Sequence, residues 1–324
     1  MIPMGIGLRL DFRPTKRRQL VRLELHPDRV MKSYKEIKPA NRSHNSRATL
    51  IAFLALLCAS CASQYVNGFT EISQYTGAVS MLTADACRSA LKKNIVESEF
   101  ELDAENIRIV TWNVHKQAAK NWKHDYDKLA INRDLVLFQE VSLRKESINN
   151  IDASKYWSFA PGFRSRGEIS GVLTLSSVKP LTQCSFVNVE PLLRTPKATS
   201  ITQYGLTETD ETLVVVNIHA INFTLGMGAY RKQVNQVVES ISQHRGPMII
   251  SGDFNTWSAK RGEFVNEIAE NLKLTAIHYS EDHRTRIMGK VMDHIYIRGL
   301  AATHAETRKV ATSDHNPMSV TLSM

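Results

Sequence analysis

The sequence predicts an α/β protein in which helices cover packed β-sheets, and three observations predict it. After Asn106, short apolar runs recur; most are β-branched or Leu-rich, four to six residues long and bounded by Gly, Asn, Asp or Ser, as buried strands are. Helical periodicity separates only some of these runs, so strands outnumber helices and a doubly wound parallel sheet fits poorly. The composition is globular: 43% hydrophobic and 23% charged residues, with 15 Gly and 10 Pro in 324 residues. It excludes wholesale disorder, collagen-like repeats and a polytopic membrane protein.

Seven runs carry the strand prediction: Ile107–Trp112, Leu135–Phe138, Val172–Leu175, Leu213–Ile218, Pro247–Ser251, Met292–Ile297 and Pro317–Leu322. Between two of them, Ala229–His244 places Val234, Val237, Val238 and Ile241 at helical spacing and stops before Gly246. Lys123–Asn132 is a weaker helix candidate, and Met81–Ile95 a short one. No internal repeat or low-complexity tract is present.

The charge is unevenly placed. The chain carries a formal +9, but residues 1–47 hold 12 basic and 4 acidic side chains, leaving 29 against 28 in the rest. Overall charge therefore does not draw the folded body to DNA. Residues 48–61, Ala48 to Cys61, form an apolar stretch too short for the ~20 residues of a spanning helix. A basic flank, a short apolar run and then small residues are the pattern of an export signal. Cys61, after Ala59-Ser60, is placed as the lipid-accepting cysteine of a bacterial lipoprotein, although Cys58 stands where Leu is usual. The expectation is export to the cell envelope with a lipid anchor at Cys61. The alternative, a buried core helix, leaves the chain cytoplasmic. Met31-Lys32 offers a more ordinary signal start, which would make residues 1–30 an over-extended reading frame. Residues 62–105 read as a tether with a local helix, and 106–324 as the folded domain. Cys87 and Cys184 pair if the body is exported, or stand as two separate buried thiols.

The informative feature is what sits where the apolar runs end. Trp112-Asn113, Gln139-Glu140, Asn217-Ile218-His219 with Asn222, Gly252-Asp253-Phe254-Asn255, Asp293-His294 and Ser313-Asp314-His315-Asn316 each place a metal-competent or proton-transferring residue there. One alone would read as a turn or a solvated edge; six in order within one domain do not. A hard cation such as Mg²⁺ takes oxygen ligands, which Glu140 and the Asn113 amide supply while leaving room for water and a phosphate. Asn255, Asn222 and His219 can donate to phosphoryl oxygens without adding negative charge. A base near neutrality is needed for the attacking water, and His315 oriented by Asp293 fits that task.

These residues stand in the order of the endonuclease/exonuclease/phosphatase superfamily, which the chain resembles over about 106–324. Val216–Phe223, Gly252–Ser258 and Ser313–Pro317 are most similar to the YafD-like bacterial branch. The resemblance implies a four-layer α/β-sandwich, with two mainly antiparallel sheets face to face and helices outside. It implies metal binding by Asn113 and Glu140, with Asp314 beside a second metal position, and Mg²⁺ or Mn²⁺ as cofactor. It further implies that Asp253 aligns or activates the water, Asn255 contacts phosphate, and His219 stabilises or protonates the phosphoryl oxygens. Asp293 would orient His315, which serves as base or phosphate contact. Residues 284–290 lack the aromatic–Arg pattern that often precedes this Asp in nucleases, which weighs against DNA.

The expected function is hydrolysis of a phosphodiester, of nucleic-acid or phospholipid type. A phosphomonoesterase acting on inositol- or sugar-phosphates and a silent envelope module are the alternatives. The chain is expected to act as a monomer, with its N-terminal segment as the membrane contact. A calcineurin-type site is excluded because its early Asp-x-His and its Asn-His-Glu elements are missing. Arg164–Gly167 reads as a solvated loop rather than a phosphate grip. His115-Lys116 stands equally for pocket lining or surface, and Trp122, Trp157 and Trp257 read as packing residues.

Overall fold

The computed structural model describes residues 83–92, 100–143, 155–165 and 168–324. The basic N-terminal segment, the apolar stretch with Cys58 and Cys61, both ends of the Met81–Ile95 helix candidate and Arg166-Gly167 lie outside the described residues.

In chain order the elements are α1 (Ala84–Leu91), β1 (Ile107–Asn113), α2 (Trp122–Ala130), β2 (Leu135–Leu143), β3 (Tyr156–Ser165), β4 (Glu168–Ser176), β5 (Thr182–Val189), β6 (Pro196–Gly205) and β7 (Thr212–His219). There follow α3 (Gly228–Ile241), β8 (Met248–Asp253), α4 (Ala259–Asn271), β9 (Thr275–Ala276), β10 (Arg286–Ile287), β11 (Lys290–Val291), β12 (Asp293–Arg298), β13 (Ala301–Thr307) and β14 (Met318–Ser323). Every apolar run named above falls largely within a strand. Among the described residues, the longer strands β3, β5, β6 and β13 and the two-residue strands β9, β10 and β11 carry no such run. In β6 the buried positions include Thr199, Ser200, Thr202 and Gln203, so no continuous apolar run marks it, and β13 is largely exposed.

Among the described residues two six-stranded sheets form, ordered β13-β14-β1-β2-β4-β3 and β5-β6-β7-β8-β12-β9, with β10-β11 a separate hairpin. Each sheet holds one parallel pair, β1 with β2 and β7 with β8, and each pair is joined through a helix. The remaining pairings within the two sheets are antiparallel. Between the sheets lies one apolar core that includes Ile109, Leu137, Val215, Ile249, Ile295 and Val320. The outer face of the first sheet packs Val110, Trp112, Val136 and Phe138 against Leu129 and Ala130 of α2. The outer face of the second packs Val216, Ile218 and Ile250 against Tyr230, Val234 and Val237 of α3 and Phe264 and Val265 of α4. The expected four-layer α/β-sandwich is the fold.

Cys87 of α1 is disulfide-bonded to Cys184 of β5, with their Cα atoms 5.8 Å apart, and both are fully buried. Thr83 caps this helix by accepting the Ala86 N–H at 3.2 Å. Further along the stretch read as a tether, the Leu102 amide donates to Gly205 O at 3.0 Å and its carbonyl accepts from Thr207 N at 2.9 Å.

Candidate active site

Strand alternation explains why chemistry collects at one end of the sandwich. On the inter-sheet face, β1 presents Ile107, Ile109, Thr111 and Asn113; β7 presents Leu213, Val215, Asn217 and His219; β8 presents Ile249, Ser251 and Asp253. Each strand runs from apolar to polar toward the same end. Register brings those ends together, because Asn113 pairs with Gln139, His219 with Asp253, and Asp253 with Asp293. A buried amide link below them fastens the two sheets: Gln139 Nε2 donates to Asn217 Oδ1 at 2.7 Å, and Asn217 Nδ2 donates to Leu173 O at 3.1 Å. Gln139 and Asn217 therefore serve the scaffold.

Glu140 reaches the site through a β-bulge. Phe138 pairs with Leu173 and Val141 with Gly171, so Gln139 and Glu140 together face Val172. Glu140 has φ +55°, a left-handed conformation that a non-glycine residue adopts at a cost. Without the bulge, alternation would set Glu140 on the helix-covered face with Val136 and Phe138; Val141 occupies that face instead. The released carboxylate lies 3.6 Å from His219 Nε2 and 4.0 Å from Lys197 Nζ.

Asp253 is the hub. Its Oδ1 accepts the Asn255 amide N–H at 2.9 Å and its Oδ2 accepts Asn113 Nδ2 at 3.1 Å. The same Oδ2 lies 3.6 Å from His219 Nε2 and 3.9 Å from His315 Nε2. Burial raises its pKa, while the His315 charge pulls against that. Asn255 was expected on the phosphate. Both of its amide hydrogens are committed, to Ala220 O at 2.9 Å and Asp253 Oδ2 at 3.3 Å, so here it positions Asp253 and the loop. Asn222 is the better donor: its Oδ1 accepts the Trp257 indole N–H at 2.9 Å, which turns its amide hydrogens away from that bond. Trp257 thus does more than pack.

His315 Nδ1 donates to Asp293 Oδ2 at 2.8 Å, as the sequence suggested. Its surroundings favour the protonated ring over the neutral one. Burial opposes the charge, but the carboxylates of Asp293, Asp253 and Asp314 outweigh it and push His315 up to about 10. The Ser313 hydroxyl docks its loop by donating to Asn113 O at 2.6 Å and accepting the His315 amide at 3.1 Å. Asp314 itself is exposed, with its carboxylate 3.6 Å from His115 Nδ1, and no described contact joins it to Glu140 or Asn113.

Lys197 of β6 is the residue that sequence reasoning missed. Its Nζ lies 2.8 Å from His219 Nε2. An ammonium offers only donors, so His219 Nε2 accepts and the ring carries its proton on Nδ1. Burial first, then the Lys197, His315 and Lys116 charges, hold His219 well below its usual pKa. A neutral His219 with Nε2 occupied is a poor proton source at that atom. The signal available was a lone Lys at the mouth of a β-rich segment, Pro196-Lys197-Ala198, with no motif around it.

Two donor sets suit a divalent cation. Among the described residues, Asp253, Asp293 and His315 each bring a ligand atom to within 4.8 Å of the others. Glu140 and Asn113 supply a second set: no hydrogen bond from a described residue reaches the Glu140 carboxylate, and Asn113 Oδ1 accepts only the His115 amide, at 3.1 Å. Hard oxygen donors with unspent lone pairs fit a hard divalent cation. The site opens into a groove of about 250 Å³ lined by Lys116, Glu140, Lys197, His219 and Asn222 among others.

Comparison with known proteins gives the family and the fold. The Endonuclease/Exonuclease/phosphatase family model matches residues 110–315. A UPF0294 protein of Vibrio vulnificus (strain YJ016) is 38% identical over 221 residues, covering 67% of this chain and 77% of the relative. A UPF0294 protein of Yersinia pseudotuberculosis is 37% identical over 218 residues, covering 67% and 84%. Among solved structures, an endonuclease/exonuclease/phosphatase from Beutenbergia cavernae superposes with TM-score 0.52 at 13% identity, covering 68% of this chain and 72% of that one. The human Nocturnin catalytic domain does so with TM-score 0.52 at 18% identity, covering 69% and 95%. The chain belongs to the endonuclease/exonuclease/phosphatase family, whose members are in general metal-dependent phosphoesterases and nucleases.

Proposed function

We propose that this protein hydrolyses a phosphodiester with a divalent metal, by in-line attack of water. The observation that carries the reading is one cluster of Glu140, Lys197, His219, Asp253 and the Asp293–His315 pair, each delivered by a different strand or loop end, with Glu140, Lys197 and His219 lining the groove. A Mg²⁺ or Mn²⁺ held by Glu140 and Asn113 would supply Lewis acidity toward a phosphoryl oxygen. The protein's own groups do the rest. Asp253, fixed by Asn113 and Asn255 and raised toward neutrality, orients the water and takes its proton. Lys197 and Asn222 donate to the phosphoryl oxygens. Water's oxygen bonds to phosphorus, one P–O ester bond breaks, and the leaving oxygen ends as an alcohol after protonation, with a phosphate monoester as the other product. His315 is the group placed to give that proton, and Asp293 holds its ring.

The test is hydrolysis of bis- and mono-(4-nitrophenyl) phosphate with Mg²⁺, Mn²⁺ or EDTA. Turnover of the diester above the monoester, abolished by EDTA, is the expected result. A preference for the monoester would make the protein a phosphomonoesterase, and activity in EDTA would remove the metal from the reading. We also propose export to the envelope, with Cys61 as lipid anchor and the chain acting as a monomer. The Cys87–Cys184 disulfide supports an oxidising compartment. Loss of lipid labelling in Cys61→Ser is expected, and labelling that persists would refute the anchor.

A further inference from the structure

The turn between β5 and β6 breaks the usual chemistry of turns. Its tip is Pro191-Leu192-Leu193-Arg194, where Gly, Asn, Asp or Ser would be ordinary. Leu192 is 52% and Leu193 57% exposed. The loop after Asn222 repeats the anomaly with Phe223 at 50% and Leu225 at 82%. Phe163, at the end of β3, Leu193 and Phe223 line the same groove as Glu140, His219 and Lys197. Scattered exposed apolar side chains need no explanation, but a cluster at the lip of a catalytic groove marks a binding surface.

The lip is built to hold its shape. Glu190, buried at the base of the turn, accepts the backbone N–H of Asn222 at 2.6 Å and of Phe223 at 3.2 Å, and the Thr195 hydroxyl donates to its other oxygen. One carboxylate therefore ties the two apolar loops together. Arg261 fixes the second loop from below, donating to Ile221 O at 2.9 Å and Asn222 O at 2.6 Å while lying between the rings of Tyr230 and Trp257. These groups have no part in the phosphate chemistry; they hold exposed leucine and phenylalanine side chains beside it.

We propose that the substrate is a phospholipid, an inference that rests on the phosphodiesterase reading of the same site. Its phosphodiester meets Lys197, Lys116 and Asn222, while its acyl portion lies on Phe163, Leu193 and Phe223. The tips at Leu192 and Leu225 rest in the bilayer interface, with Arg194 reaching the headgroups. Complementarity favours this occupant over nucleic acid. Beside the two rings, Leu192, Leu193 and Leu225 offer an acyl chain aliphatic contact and give a base nothing to stack on, and the folded body is near neutral.

The experiment compares dihexanoylphosphatidylglycerol, kept below its micelle-forming concentration, with glycerophosphoglycerol, using the full chain and Mg²⁺. The acylated diester is expected to show kcat/KM at least about tenfold higher, and the Leu193→Ser/Phe223→Ser double variant is expected to bring that ratio close to one. A ratio near one in the wild type, a ratio that survives the double substitution, or a higher kcat/KM on single-stranded DNA would each overturn the lipid assignment. Turnover of bis(4-nitrophenyl) phosphate without lipid preference would sink this inference alone. If no diester is turned over with Mg²⁺ or Mn²⁺, the phosphodiesterase reading fails. The groove is then judged by saturation-transfer NMR on the acyl protons: signals lost in the double variant support it, and signals absent from the wild type overturn it.

Discussion

The two strand–helix–strand units make opposite uses of one architecture. Both set a parallel pair in the middle of a sheet and deliver polar residues at the same end. The β1–α2–β2 unit ends in the bulge, and its Glu140 carboxylate is 22% exposed and without a hydrogen bond among the described residues. The β7–α3–β8 unit ends closed. Gln233 of α3 accepts the Ile221 amide at 2.7 Å and donates to His219 O at 3.0 Å, Tyr230 donates to Phe254 O at 2.8 Å, and Asp253 is 2% exposed. One wall keeps unspent lone pairs for ligands; the other holds its groups in fixed places. Damage to the closed wall should therefore cost stability and activity together, and damage to the open wall activity alone.

The sharpest test of that division is Gly252→Ala. Gly252 has φ +138°, and a Cβ there would lie 2.1 Å from Ile218 O. Both the conformation and the space forbid a side chain, so we expect about 4 kcal/mol or more of destabilisation in urea titration, with activity lost in parallel. A stable Gly252→Ala protein would show that the closed wall is not rigid.

His294, in register with Gly252, gives the next effect. It packs on Phe254 and Tyr296, and its Nε2 lies 2.7 Å from the Thr256 hydroxyl, which itself donates to Val291 O at 2.5 Å. Burial, then Arg284, lowers its pKa to about 4. The unfolded ring takes up a proton near pH 6.5 while the folded one resists until about 4. Stability is thus complete above the unfolded value and falls as pH drops through that window, by about 3 kcal/mol in all. Urea midpoints between pH 7 and 4 should fall more steeply in the wild type than in His294→Gln; equal slopes would mean the ring is not held neutral.

On the open wall, Glu140→Gln should lower kcat/KM by ~10² or more, about 2.7 kcal/mol of transition-state stabilisation, while the melting temperature stays unchanged. A melting shift as large as that of Gly252→Ala would erase the contrast between the walls.

The sequence made the closed wall easier to read than the open one. His219, Asp253, Asp293 and His315 sit in runs whose apolar strands announce them, and period-two alternation sends them to one end. Glu140 was legible by position, but the bulge that aims it was not, because a Gln-Glu pair after an apolar run carries no mark of a left-handed backbone. For Asn255 and His315, residue type and family resemblance point to a phosphate contact and a base. Their actual states depend on partners that only the fold brings near: Ala220 O spends the Asn255 amide, and three carboxylates charge His315. Strand β6 hid from an apolar-run criterion behind its buried threonines and serines, and Lys197 hid with it.

Lys197 belongs to neither unit and spans the two, 2.8 Å from His219 on the closed wall and 4.0 Å from Glu140 on the open one. If it only props His219, a neutral donor serves as well; if its charge faces the phosphate, it does not. Lys197→Gln keeps a donor for His219 Nε2 and removes the charge. We expect kcat/KM to fall about tenfold, mainly through KM, because a single charge contact to phosphate is lost while the hydrogen bond survives. Lys197→Met should fall further, since it also strands the His219 nitrogen beside Asp253. Wild-type kinetics in Lys197→Gln with a loss only in Lys197→Met would make Lys197 a support for the closed wall. A loss in both makes it the hinge between a wall that binds and a wall that holds.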